Sequence, residues 1–134
     1  MIVVIDTNVL VSGLLGDTGN PATIVNHLLA AKLKAAYDIK IISEYREVLK
    51  RPKFSFKPAD VDALINYIEA EGLLVYPVPL NITLPDPADL PFLEVAYSIE
   101  SKTLITGNSK DYSNAGRKLV KVLTPADFIS SVSL

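Results

Sequence analysis

The stretch Met1-Ile2-Val3-Val4-Ile5-Asp6-Thr7-Asn8 decides how the rest of the chain is read. Ile2 to Ile5 is an unbroken β-branched run with no polar alternation, the pattern of a strand covered on both faces inside a parallel sheet. Asp6 stands at its carboxyl end. An ionised carboxylate there is costly to desolvate unless something positive compensates it. Open α/β sheets bind their ligands along this same edge. What matters next is whether Asp6 stands alone or heads a set of acids.

Working outward, further β-type apolar runs recur at residues 39–42, 73–76, 103–106 and 119–123, with helical patterns between them. Asn20-Pro21 reads as an N-cap followed by proline at the first helical position, leading into Ile24, Val25, Leu28 and Leu29. Ser43 reads as the cap of a short helix that proline stops at Arg51-Pro52. Lys57-Pro58 opens another, with Val61, Leu64, Ile65 and Ile68 on one stripe and Gly72 as its C′ residue. Residues 89–101 carry Phe92, Leu93, Ala96 and Tyr97 at helical spacing, and Thr124-Pro125 starts a last helix through Phe128 and Ile129. Strands alternating with helices predict a three-layer α/β/α sandwich with a mainly parallel central sheet. The 134 residues, free of repeats and linkers, predict a single domain over 1–134.

Composition narrows the functional classes. The hydrophobic fraction of 49% belongs to a folded chain, and no apolar run approaches the roughly 20 residues of a membrane span. The first residues lack a basic n-region, so no signal peptide is expected. Cysteine is absent, which excludes disulfides, thiol nucleophiles and cysteine-ligated zinc and fits a cytoplasmic location. A net charge of −2 means that any attraction to nucleic acid must be local. Two basic stretches are available: Arg46, Lys50, Arg51, Lys53 and Lys57, then Lys110, Arg117, Lys118 and Lys121. Solvated surface charge is the commoner reading of such residues.

The acids fall in a pattern against this map. Asp6 follows the first strand, and Glu44 comes two residues after the run at 39–42. Asp86 and Asp89 lie in the loop after the third run and at the start of the next helix. Asn108 follows the fourth run in Thr106-Gly107-Asn108, with Asp111 three residues on. Carboxyl ends of parallel strands share one edge, so these groups can converge. Clustered carboxylates raise one another's pKa unless a cation neutralises them. An oxygen-only donor set suits Mg²⁺ or Mn²⁺, which binds phosphate oxygens and activates water for in-line attack. Each residue also has an ordinary reading: Asp6 and Asp89 as helix caps, Glu44 as a partner of the helix dipole, Asn108 as a turn residue. The combination at one edge favours the functional one.

Asp6-Thr7-Asn8-Val9-Leu10, Ser43-Glu44-Tyr45, Asp86-Pro87-Ala88-Asp89 with Phe92-Leu93-Glu94-Val95-Ala96, and Leu104-Ile105-Thr106-Gly107-Asn108 together resemble the ordered motifs of PIN-domain proteins. The similarity extends to Thr124-Pro125-Ala126-Asp127-Phe128 and is greatest to toxin components of toxin–antitoxin pairs, of the VapC kind. The resemblance implies a Mg²⁺- or Mn²⁺-dependent endoribonuclease. It implies Asp6 and Asp89 as direct metal ligands and Glu44 as a ligand direct or through water. Thr7 and Asn8 would support the site or touch the scissile phosphate, and Thr106 would orient the cluster. Arg51 and Lys110, one from each basic stretch, are the candidate substrate contacts. The family commonly has Asp where this chain has Asn108. Either three acids suffice, Asp111 or Glu94 compensates, or activity is weakened. An RNA substrate, an antitoxin protein and a homodimer are the implied partners.

Other chemistries find less support. His27, the only histidine, lies in an apolar stretch away from the acids, and no Gly-x-Ser-x-Gly elbow or phosphate-binding glycine loop occurs. A haloacid-dehalogenase-type phosphatase wants a second acid two residues after the first, where Asn8 stands. Tyr45 and Tyr112 are candidates for stacking on bases, and Tyr97 reads as core. The neutral Asn108 and the acidic balance keep one alternative from another class, a catalytically silent RNA- or protein-binding module.

Overall fold

The computed structural model describes residues 1–134. Its centre is strand β1 (Ile2–Ile5), in which Val3, Val4 and Ile5 are wholly buried. Around it lie β2 (Lys34–Tyr37), β3 (Leu73–Leu74), β4 (Thr103–Ile105) and β5 (Lys121–Leu123), in the order β3-β2-β1-β4-β5 with every pairing parallel. Parallel neighbours require long crossovers, and helices supply them. These are α1 (Thr7–Leu15), α2 (Asn20–Leu29), α3 (Ile39–Leu49), α4 (Pro58–Glu71), α5 (Leu90–Tyr97), α6 (Ser113–Leu119) and α7 (Pro125–Ser131). The result is a three-layer α/β/α sandwich, with α5 packed across β1, β2 and β4.

One expected strand is not a strand. Residues 39–42 form the first turn of α3, and β2 is the plainer Lys-Ala-Ala-Tyr segment before them. The Asp38 carboxylate decides this by accepting from the Ile41 backbone N–H at 2.9 Å, a side-chain cap that starts a helix. Ile41, Tyr45 and Leu49 then fall four residues apart on the buried face, whereas Ile39 is 78% exposed. Ser43 is accordingly an interior helical residue, its hydroxyl donating to the Ile39 carbonyl, and not a cap. Glu44 therefore sits in the second turn of α3 and not at its start.

Other boundaries shift less. The third strand stops at Leu74, and Tyr76 is exposed. Leu119 ends α6 instead of beginning β5, and a 3-10 turn (Pro87–Asp89) precedes an α5 that ends at Tyr97. The second helix begins at Asn20 after Gly19, whose φ of 100° is the left-handed region that glycine tolerates. Gly72 does end α4, but for lack of room: a Cβ there would lie 2.4 Å from the Ala35 carbonyl oxygen. Thr124 caps α7 as its sequence predicts, accepting from the Asp127 N–H at 3.1 Å.

Candidate active site

Asp6 is still tied to the sheet, because its N–H donates to the Ile105 carbonyl at 2.9 Å. The Thr106 N–H is tied likewise to Leu123. Two neighbouring strands thus deliver Asp6 and Thr106 side by side, and the Thr106 hydroxyl donates to Asp6 Oδ2 at 2.8 Å. Asp6 precedes α1 but makes no side-chain cap, so the simple capping role does not describe it. Its side chain is only 4% exposed. Burial raises its carboxyl above the ordinary range, and hydrogen bonds from Tyr112 and Thr106 pull part of the way back.

The adjoining elements bring in the rest. The buried Tyr45 hydroxyl donates to the Ile5 carbonyl, fixing α3 against the end of β1. Glu44, the preceding residue, accepts a hydrogen bond from the Thr7 hydroxyl. It is half-buried, and burial raises its carboxyl, helped by the charges of Asp6, Asp86 and Glu47 against the Thr7 hydrogen bond. Asn8 accepts from the Gly107 N–H at 2.9 Å and turns its amide nitrogen toward Asp6 and Thr106, at 3.4 and 3.5 Å. Asp89 makes no cap either, a role that Asp86 performs by accepting from the Ala88 N–H. Burial first, then the charges of Asp6, Asp86, Asp111 and Glu44, push Asp89 up to about 7.

Electrostatics therefore binds Asp6, Glu44 and Asp89 into one acidic edge. No basic side chain forms an ion pair with these three acids, since the ion pairs are Arg46–Glu69, Lys50–Asp62 and Arg51–Glu47; Arg51 feels the charge of Glu44 but is held by Glu47. No three acids already enclose an ion-sized cage. The donor chemistry is an open, all-oxygen set, which fits a hard divalent cation that keeps several waters.

Asn108 is exposed, and its amide nitrogen donates to Asp111 Oδ1 at 3.0 Å. Asp111 adds its charge to that around Asp6 and Asp89. Glu94 is buried elsewhere and accepts from the Leu80 N–H at 2.7 Å, tying down the loop before Asp86. Of the two acids considered as compensation for Asn108, only Asp111 faces the edge. Lys110 is exposed and free of ion pairs, whereas Arg51 is held by both oxygens of Glu47, at 3.2 and 2.9 Å. Tyr45 and Tyr112 are wholly buried, so neither offers a ring for base stacking. Tyr97 is half-buried against the core, as expected.

The sequence alone assigns Tyr112 no part in the acid cluster. Its hydroxyl donates to Asp6 Oδ2 at 2.8 Å, and burial beside the Asp6 charge pushes the phenol far up, so it remains a donor. The only signal was a tyrosine six residues beyond Thr106, which no spacing rule distinguishes from a core aromatic.

A polar cleft of about 260 Å³ opens beside Asn8, Ser12, Gly107 and Asn108. The largest cleft, about 640 Å³, lies elsewhere, between Leu14, Leu29, Phe56, Leu64 and Tyr67, and contains none of these acids. Chemistry and not volume marks the site. A family model described as PIN domain matches residues 2–110. No curated protein and no solved structure matches the chain.

Proposed function

The chain belongs to the PIN-domain family, whose members are generally nucleases, and from that premise we propose that it is a divalent-metal-dependent endoribonuclease, the toxin of a toxin–antitoxin pair. The observation that supports this most is an acidic edge whose three carboxylates have no ion-pair partner. Asp6 and Asp89 would hold Mg²⁺ or Mn²⁺ directly, with Glu44 direct or through water. A cation held there would supply Lewis acidity toward a phosphate oxygen and ease deprotonation of the attacking water.

The chain's own groups set the geometry. Thr106 fixes Asp6, Thr7 fixes Glu44, and Asn8 bridges the ends of β1 and β4. Asn108 acts through Asp111, which it orients and which brings the charge that an amide lacks. Lys110, exposed and in no ion pair, is the residue we assign to meet a phosphate, and Arg51 reaches RNA only by leaving Glu47. An RNA substrate and an antitoxin partner place this activity in the cytoplasm, with the protein as a homodimer.

Replacing Asp6 by Asn removes the charge at nearly constant volume. Cleavage of single-stranded RNA in Mn²⁺ then falls by more than about 100-fold, beyond the usual cost of an outer-shell loss. Circular dichroism and thermal melting check that the fold survives. Equal cleavage by wild type and mutant overturns the assignment. The exposed, uncharged Asn108 favours one second reading, a PIN-like module that binds RNA or protein without cutting it. RNA binding without metal-dependent cleavage is its signature.

A further inference from the structure

Tyr112 closes the 3-10 turn Ser109–Tyr112 with its ring wholly buried. A buried phenol needs a hydrogen-bond partner, and phenylalanine would fill the same space without that demand. The partner here is Asp6 Oδ2, at 2.8 Å. Thr106 donates to the same oxygen at the same distance. The Thr106 hydroxyl also accepts from the Asn108 N–H at 3.2 Å, so its single proton is directed to Asp6. No side chain donates to Oδ1.

Two strong donors on one oxygen fix the rotation of the carboxylate and leave the other oxygen's lone pairs unengaged by side chains. Resting on Asp6 as a cation ligand, the geometry points to Tyr112 as a positioning residue that, with Thr106, clamps Oδ2 and presents Oδ1 to the ion. Tyr112 does not touch the ion. It acts as the outer-shell partners of ligating carboxylates do, restricting orientation before binding. It also ties the turn bearing Lys110 and Asp111 to the end of β1.

The test is Mn²⁺ titration of metal-free wild type and Tyr112→Phe by calorimetry at one pH, with melting in EDTA as a check of folding. Positioning predicts Mn²⁺ affinity weaker by about 10- to 100-fold in the folded variant. A folded Tyr112→Phe that binds Mn²⁺ as wild type does, while wild type cleaves RNA, overturns this inference alone. Wild type that binds no Mn²⁺ overturns both this inference and the ribonuclease reading. Should Tyr112→Phe fail to fold, the second donor is tested in the same way. Thr106→Val must weaken Mn²⁺ binding and Thr106→Ser, which keeps the hydroxyl, must recover it; equal affinity in Thr106→Val and wild type contradicts the clamp.

Discussion

Glu44 and Glu47 lie less than one turn apart on α3 and have different partners. Glu47 is exposed and grips Arg51 with both oxygens, while Arg46 of the same helix and Lys50 just past its end reach Glu69 and Asp62 on α4. Glu44 faces the sheet edge, half-buried, with a neutral hydroxyl for a partner and the charges of Asp6 and Asp86 around it. A chain that supplies bases to the acids of one surface leaves those of the other uncompensated. Surface pairs of this kind contribute little, about 0–1 kcal/mol each, so the pairing is not what holds the helices together. The unpaired edge works against folding, and the proposed cation would supply the counter-charge that these carboxylates lack.

The largest effect that separates the two sets is on catalysis. Asp89→Asn should lower metal-dependent RNA cleavage by more than about 100-fold, whereas Glu47→Gln should leave it within about twofold. A gel assay with both variants measures this, and equal losses would erase the distinction between the two surfaces.

The next effect is on stability and has a defined sign. Asp89 titrates at about 7 in the folded chain against an ordinary value of 3.8, so between these limits the native state binds more protons than the unfolded one. The contribution of this carboxyl is fully present below about pH 4 and is lost as pH rises through about 7. Asp6 and Glu44 are shifted in the same direction. In EDTA at pH 8, Asp89→Asn should therefore melt higher than wild type by on the order of a few degrees, and the gap should close at pH 4. A lower melting temperature at pH 8 would mean that the charge is compensated after all.

A smaller effect concerns the two basic stretches. Lys110→Ala should weaken binding of single-stranded RNA and reduce the salt slope by about 0.7, the loss of one phosphate contact. Arg51→Ala should change that slope less, because Glu47 already holds the guanidinium. Its cost in stability should stay within about 0.5 kcal/mol, as expected of an exposed i,i+4 pair. Anisotropy titrations at several salt concentrations compare the two.

These contrasts also explain what the sequence could reveal. The β1 run, the stripe of α4 and the Thr124-Pro125 start of α7 are local signals, and the structure follows them. β2 is not legible in the sequence because Ala35 and Ala36 carry little β signal, whereas Ile39, Ile41 and Ile42 carry much and are overruled by the Asp38 cap. Glu44 nevertheless belongs to the acidic edge, since the start of a helix after β2 lies where the end of a strand would have been. Which acids are paired was not legible, because Glu47–Arg51 and Glu44–Thr7 differ in the facing of one helix. The Tyr112–Asp6 bond spans 106 positions and leaves no local trace.

The central claim, that the unpaired acids form a site for a divalent cation, is met most directly by Mn²⁺ titration of the metal-free protein beside Asp6→Asn and Glu47→Gln. The account predicts one saturable site in wild type, retained in Glu47→Gln and lost in Asp6→Asn. No saturable binding in wild type, or undiminished binding in Asp6→Asn, would contradict it.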